Sequence, residues 1–204
     1  MLKGLLQTEL LYCNHLGMSE NDEKDIMNFT IERREGAGLK DYIQHFAFPE
    51  EEAGIMRTYI VRDNISSELV GYFSLKTGLI SLNERQTEIT NPDTKGKETI
   101  TTFDTLPGVE LANFAVNSAY IRRHKDLKGI GVIIFNSFIL PIVKQTSESV
   151  GLKILYIFAL PYDDLMKRYE YYGFKRLNDE SEERLHDRLK PYYDLSCKFM
   201  YMVL

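Results

Sequence analysis

The stretch from Leu106 to Val150 limits most strongly what this chain can fold into. It reads LPGVELANFAV, then the basic segment NSAYIRRHKDLK, then GIG opening the apolar run VIIFNSFILPIV. Val109 to Val116 has the apolar density of an interior strand. Gly129 and Gly131 fall where a loop turns into a helix. There two glycines let backbone N–H groups approach a ligand, and the free N–H groups and positive dipole end of the helix favour an anion. Arg122, Arg123, Lys125 and Lys128 place four positive charges within seven residues, with Asp126 the one negative charge among them. The reading is strand, anion-binding loop, buried helix, with a phosphate-bearing cofactor as the natural occupant. A lone G-x-G also fits a plain tight helix start.

The residues beyond the helix strengthen this pattern. Gly151 is a stop signal, and Lys153 to Leu160 (KILYIFAL) reads as a short buried strand. In PYDDLMKRYEYYGF, Pro161 starts a helix, Asp163 and Asp164 suit its first turn, and Gly173 suits its end. Phe174 to Leu177 begins another strand. The order of strand, glycine loop, long helix, strand, short helix and strand resembles the second half of a GNAT-type N-acetyltransferase. The family's glycine signature, Q/R-x-x-G-x-G/A, reads here Asp126-Leu127-Lys128-Gly129-Ile130-Gly131. LPGVELANFAV is similar to the family's preceding strand, and Tyr169-Glu170-Tyr171-Tyr172-Gly173-Phe174 to its helix-end pattern. The resemblance covers Leu106 to Leu177 strongly and the first hundred residues loosely. Asp126 departs from the family's Gln/Arg, and the loop from Val116 to Gly129 is several residues longer than usual. Backbone amides do most of the phosphate work, so the site survives both changes, with Arg122, Arg123 or Lys125 able to compensate.

The resemblance implies one α/β domain over residues 1–204, with an acceptor-side half (1–105) and an acetyl-CoA half (106–204). The sheet is mixed and mostly antiparallel, with helices on both faces and central strands that part to admit pantetheine. Backbone groups of Phe114, Ala115 and Val116 then bind the pantetheine, and Leu127, Lys128, Gly129, Ile130 and Gly131 the pyrophosphate of acetyl-CoA. No metal is implied.

Apolar residues at 44% and charged residues at 27% are ordinary for a globular domain, and 204 residues bury a sizeable core as one domain. Cys13 and Cys197 have no metal spacing and read as reduced, buried thiols of a cytoplasmic protein. Gln7 and Glu9 interrupt the N-terminal leucines before they form a signal peptide, and no apolar run approaches the ~20 residues of a membrane span. Residues 1–100 carry 11 basic and 17 acidic side chains, and residues 101–204 carry 14 and 13. An acidic front half with a basic loop suits an anionic cofactor and an amine acceptor. It argues against a broad nucleic-acid surface and leaves oligomeric state open, a homodimer included.

Along the front half, Leu2 to Cys13 is an edge strand or a helix. A helix starts at Ser19-Glu20-Asn21-Asp22-Glu23, and a second runs from Leu39 to Phe48. Met56 to Asp63 and Glu68 to Leu75 form an antiparallel hairpin across Asn64 to Ser67, with Lys76 to Leu82 extending its second strand. Asn83 to Leu106 is a polar loop, either a mobile flap beside the acceptor site or disordered. Asn178 to Pro191 is a solvated surface helix, and Leu195 to Leu204 the closing strand.

Acetylating an alkyl amine needs a proton removed, because at pKa ~10.4 only about one molecule in two thousand is neutral at pH 7. The resemblance places Glu110 on the strand that carries the catalytic glutamate of histone-type members. Strand alternation groups it with Ala112, Phe114 and Val116, and burial there raises its pKa toward that of a working base. Tyr169 stands where the family often carries a tyrosine facing the thioester sulfur. A phenol of pKa ~10 is a weaker acid than a thiol near 8.5, so full proton transfer is uphill by roughly 2 kcal/mol and hydrogen bonding to the thiolate is its role. Solvation of Glu110 and core packing of Tyr169 with Leu165 and Tyr172 are the plain alternatives. His15, His45, His124 and His186 are scattered without zinc spacing. The function favoured is acetylation of a small-molecule or protein amine, with acetylation of aminoacyl-tRNA by a toxin-type enzyme and acyl-CoA binding without catalysis as the alternatives. An α-amine of pKa ~8 needs little help from a base, so a buried Glu110 favours an alkyl amine.

Overall fold

The computed structural model describes residues 6–187, 189 and 196–204, without the side chains of 6, 81–85 and 102–104. Leu2 to Leu5, Pro191 and Leu195, which bound three of the expected elements, lie outside the described residues. The chain forms two compact units. The first is the chain up to Lys76 with Val109–Val150, and the second is Thr77–Gly108 with Gly151–Leu204.

In the first unit, β1 (Leu6–Gln7), β2 (Leu11–His15), β3 (Arg57–Asp63), β4 (Leu69–Thr90) and β5 (Lys97–Val116) lie side by side in that order. Pairing is antiparallel from β1 to β4, with Thr58 opposite Ser74 and Ile60 opposite Tyr72. Between β2 and β3 come α1 (Asp22–Met27) and a longer helix, α2. It runs from Ala37–Asp41 through a π turn at Tyr42–Phe46 to Ala47–Glu52. After β5 come α3 (Ser118–Arg123) and the 20-residue helix α4, made of Ile130–Ile134, a π turn at Phe135–Ile139, and Leu140–Ser149. Each π turn lies just before a proline, Pro49 and Pro141, whose missing N–H would otherwise break the α ladder.

Consecutive residues of β4 show how this sheet is covered. Tyr72 faces α1 and α2: its hydroxyl donates to the Leu39 carbonyl at 2.5 Å, and its ring packs on Phe29 and Tyr42. Gly71 faces the other way, where a Cβ would stand 2.7 Å from the Ala115 carbonyl and 3.3 Å from Ile134 of α4. Only glycine lets strand and helix approach so closely. Helix α4 is long and apolar enough for a membrane span, which revises the expectation from the sequence. Its Ile134, Phe135, Phe138, Ile139, Ile142 and Val143 are nonetheless buried in the protein, as in a core helix.

The second unit joins the outer parts of β4 and β5 to β6 (Ile154–Ala159), α5 (Asp163–Tyr171), β7 (Lys175–Arg176), α6 (Asp179–His186) and β8 (Lys198–Val203). Strands β6 and β7 both pair antiparallel with β8, and Ile80, Ile154, Tyr156, Phe158, Leu185 and Phe199 form the core. Gly173, at φ +97°, closes the segment after α5, as its position predicts.

The polar loop expected from Asn83 to Leu106, a flap or disordered, is corrected. The backbone there is regular, the outer half of β4 and the first half of β5, turning at Asn91 to Gly96. Asn91 N–H donates to the Gly96 carbonyl at 2.9 Å, and Lys97 pairs with Glu88 across the ribbon at 3.2 Å. Residues 86–90 and 97–101 are exposed throughout, so no buried face imposes an apolar alternation.

At the inner hairpin, Asp63 Oδ1 accepts the N–H groups of Ile65 and Ser66 at 2.9 and 2.8 Å, and its Oδ2 accepts the Tyr120 hydroxyl at 2.7 Å. Burial pushes the carboxyl up, but the hydrogen bonds from Ser66, Tyr120 and Ile65 outweigh it and hold the pKa at about 2, from an ordinary 3.8. A pKa lowered on folding stabilises above the unfolded value and is lost as pH falls through the folded one. Unfolding free energy should therefore fall between about pH 4 and pH 2, and Asp63→Asn should flatten that slope in denaturant titrations. The same slope in both proteins would remove Asp63 as a cause.

Candidate functional site

The first unit contains Glu110, Phe114 to Val116 and Leu127 to Gly131; Tyr169 belongs to the second. Strand β5 ends at Val116, and Asn117 turns the chain out of the sheet. The Asn117 N–H donates to the Val70 carbonyl and its Nδ2 to the Leu69 carbonyl, while Oδ1 accepts from Ala119 N–H, capping α3. The segment read as a basic loop is thus partly helical. Arg122 pairs with Glu32 and Arg123 with Glu68, so two of the four cations are already neutralised. Lys125 and Lys128 are exposed and make no ion pair among the described residues.

Gly129 is exposed, with φ +74° and ψ +19°, and a Cβ there would meet nothing within 4 Å. The first ladder bond of α4 runs from Ile133 N–H to the Gly129 carbonyl at 3.0 Å. The N–H groups of Ile130, Gly131 and Val132 therefore precede the ladder, at the positive end of a 20-residue helix. Open space beside a left-handed glycine and three leading N–H groups form a cradle for an anion. A separate polar cleft of about 530 Å³ is lined by neither Glu110 nor this cradle; Lys24, Asp25, Arg62, Glu68, Asn117 and Arg123 are among its walls.

Glu110 is 6% exposed, so it is not a solvated strand end. Its Oε2 lies 3.3 Å from Lys76 Nζ of β4, a partner that nothing in the sequence marks. The ammonium favours the ionised carboxylate and offsets the cost of burying it. The expected grouping of Glu110, Ala112, Phe114 and Val116 on one face also needs correction. Ala112 and Ala115 both pack on the core that includes Ile60 and Tyr72, which residues three apart on a regular strand cannot do. The alternation breaks between them, as at a bulge. Phe114 and Val116 are half-buried and Ala115 is buried.

Beside Lys76 on the same face of β4, Ser74 is fully buried. Its Oγ stands 3.0 Å from Thr58 Oγ1, which is 3.3 Å from the Tyr42 hydroxyl. Neither this hydroxyl row nor Lys76 stood out in the sequence, since each depends on cross-strand register.

Tyr169 is 6% exposed, its ring against Tyr172 at 6.0 Å and Phe174 at 5.6 Å, both edge-on. Its hydroxyl makes no hydrogen bond among the described residues. Burial pushes its pKa above the ordinary tyrosine value, with the nearby Tyr172 adding to the shift. Cys13 and Cys197 are both buried. Among the described residues no group of three or more His, Cys, Asp or Glu side chains is placed to hold a metal.

No protein-family model matches the sequence, and no curated protein matches it either. Solved structures do match. The fold, an antiparallel-rich sheet covered on both faces with a glycine-led helix after its central strand, is the GNAT fold. The chain is similar to a tyrosine-to-phenylalanine mutant of KacT (TM-score 0.64, 14% identity, covering 96% of this chain and 95% of that one). It is similar to AtaT complexed with acetyl-methionyl-tRNAfMet (0.62, 15%, 95% and 94%). A third is the AtaT mutant toxin bound to the C-terminus of the antitoxin AtaR and acetyl-CoA (0.58, 15%, 95% and 92%).

Proposed function

We propose that the chain is an acetyl-CoA-dependent N-acetyltransferase whose acceptor is the α-amine of an aminoacyl-tRNA. The observation that carries this reading is the match over nearly the whole length of both chains to AtaT solved with acetyl-methionyl-tRNAfMet. The anion cradle at Gly129 to Val132 fits the pyrophosphate of CoA by its open left-handed glycine, its leading N–H groups and the uncommitted Lys125 and Lys128. Bound there, CoA supplies the acetyl thioester.

The transfer joins the amine nitrogen to the acetyl carbon and breaks the carbon–sulfur bond. The nitrogen loses one proton and the leaving sulfur gains one, giving amide and free thiol. An α-amine of pKa ~8 is about one-tenth neutral at pH 7 and reaches its nucleophilic form without a dedicated base. This suits a site whose carboxylate, Glu110, already holds the Lys76 ammonium. Burial raises the Tyr169 phenol, so its proton stays on through the neutral range, the state required by the role that the family resemblance gives it, hydrogen bonding to the developing thiolate. The net charge of −5 argues against a broad nucleic-acid surface, but the acceptor end of a tRNA needs only local contacts.

The test is transfer of label from acetyl-CoA to charged tRNA, to an α-blocked lysine with a free ε-amine, and to a free diamine. Label should appear on the RNA-bound amino acid and be released by deacylation. Preferential labelling of either alkyl amine would return the acceptor to that class, and CoA binding without any transfer would leave a binding module. Separately, Gly129→Val, which forces a β-branched residue to φ +74° and fills the cradle, should weaken CoA binding at least about tenfold by calorimetry.

A further inference from the structure

We infer that Arg33 and Arg34 form the phosphate-docking edge of the acceptor site, taking phosphodiesters of the RNA that carries the amine. The inference rests on the aminoacyl-tRNA reading above and deepens it, since nothing in that reading says what holds the RNA.

The two arginines belong to the segment between α1 and α2 in the first unit. That segment is fastened to the end of β5 without using them. Thr30 N–H and Oγ1 donate to Asn117 Oδ1 at 3.3 and 3.0 Å, and the Ser118 N–H donates to the Thr30 carbonyl at 2.9 Å. The Glu32 N–H donates to Ser118 Oγ at 3.1 Å, and the Glu32 carboxylate pairs with Arg122. The chain then turns tightly. Gly36 N–H donates to the Arg33 carbonyl at 3.0 Å, and Gly36 is buried against Ile31. Backbone and neighbouring side chains thus fix where Arg33 and Arg34 stand. Both arginines are exposed, and their side chains make no ion pair or hydrogen bond among the described residues.

Residues 1–100 carry 11 basic and 17 acidic side chains, so two adjacent uncommitted arginines are a local exception in an acidic half. Glu32 in front of them is neutralised by Arg122, and Glu35 behind them is the uncommitted anion of the turn. Their place in the fold matters as much as their charge. Phe114 to Val116, the residues proposed for pantetheine, run directly into Asn117 and Ser118, to which the segment is tied. In an aminoacyl-tRNA the phosphates of the last nucleotides trail close behind the reacting α-amine, and they arrive beside this strand end. A planar guanidinium fork matches two phosphate oxygens, and such contacts position a nucleic acid without reading its sequence. Two of them need no basic stripe, which reconciles RNA binding with a net charge of −5.

The experiment measures binding of uncharged tRNA by fluorescence anisotropy over a range of salt concentrations. Alongside it, kcat/KM is measured for aminoacyl-tRNA and for an amino-acid ester, which has the same α-amine and no phosphate. In Arg33→Ala/Arg34→Ala, tRNA affinity should fall about tenfold. The slope of log affinity against log salt should become shallower by about 1.5, the loss of two phosphate contacts. The fall in kcat/KM should be about tenfold larger for the tRNA than for the ester. Arg33→Lys/Arg34→Lys, which keeps the charge, should restore the slope, and Glu35→Gln should tighten tRNA binding. An unchanged salt slope, or an equal loss on tRNA and ester, overturns the inference while leaving the proposed activity intact. If the alanine substitutions abolish binding of a polyglutamate peptide and spare that of tRNA, the edge belongs to an acidic protein and the inference falls. A wild type that neither binds nor acetylates tRNA overturns the aminoacyl-tRNA reading and the inference with it.

Discussion

Tyr169→Phe should lower turnover about 100-fold while leaving CoA affinity near wild type. The substitution removes one oxygen and keeps the ring, whose edge-on contacts with Tyr172 and Phe174 hold it in the core of the second unit. The hydroxyl makes no hydrogen bond among the described residues, so its loss orphans no partner, and stability should change by less than about 0.5 kcal/mol. A purely structural tyrosine predicts the same stability and no kinetic effect, which is what makes the variant informative. Burial raises the phenol's pKa, and this widens its gap from a thiol near 8.5. The role proposed for the hydroxyl is therefore hydrogen bonding to a developing thiolate rather than giving up its proton. Turnover of Tyr169→Phe should then keep the pH profile of wild type at a lower height. Wild-type turnover on a confirmed acceptor would end the role assigned to Tyr169.

What could be read from the sequence depended on whether one face of an element is buried. The stretch from Val109 to Val150 carries its structure openly, because strand, glycine turn and core helix each leave a periodic or punctuating mark. The glycine turn into α4 was legible for that reason, though not which of Gly129 and Gly131 adopts the left-handed conformation. The outer part of the ribbon, residues 86–101, was not. Its residues 86–90 and 97–101 are exposed throughout, so its β-branched threonines and isoleucines, in TEIT and KETIT, alternate with nothing apolar and looked like a polar loop. Helix α3 was hidden inside a run of charges, although Asn117 ahead of Ser118 and Ala119 was a cap signal available to be seen. Lys76 was beyond reach for another reason. Its meeting with Glu110 is a matter of strand register over 34 residues, and neither residue marks the other in the chain.

The second large effect concerns three charges, Arg62, Asp22 and Asp25, that the proposed chemistry does not use. Arg62 on β3 is 3% exposed; its Nη2 donates to Asp22 Oδ1 at 2.7 Å, and its Nη1 donates to Asp25 Oδ2 at 2.6 Å and to the Ser67 carbonyl at 2.9 Å. Asp22 is itself sealed, and its other oxygen accepts the N–H groups of Gly17 and Ser19 at 2.9 and 3.3 Å. One guanidinium thus fastens α1 and the turn before it to the sheet, over a chain separation of 40 residues. Removing it leaves two carboxylates facing each other, one of them without access to water. Breaking such a buried pair from one side costs about 3–5 kcal/mol, far more than an exposed pair would. Arg62→Ala should therefore lower the melting temperature by roughly 10 °C for a domain of this size. Arg62→Lys separates the two components of the effect. It restores the charge but not the fork that reaches both aspartates at once, and it should recover only part of the loss. If the network merely decorates the surface of α1, both variants will melt with wild type. If it anchors the helix, amide exchange in Asp22–Met27 should speed up more than exchange in α4, whose contacts Arg62 does not touch.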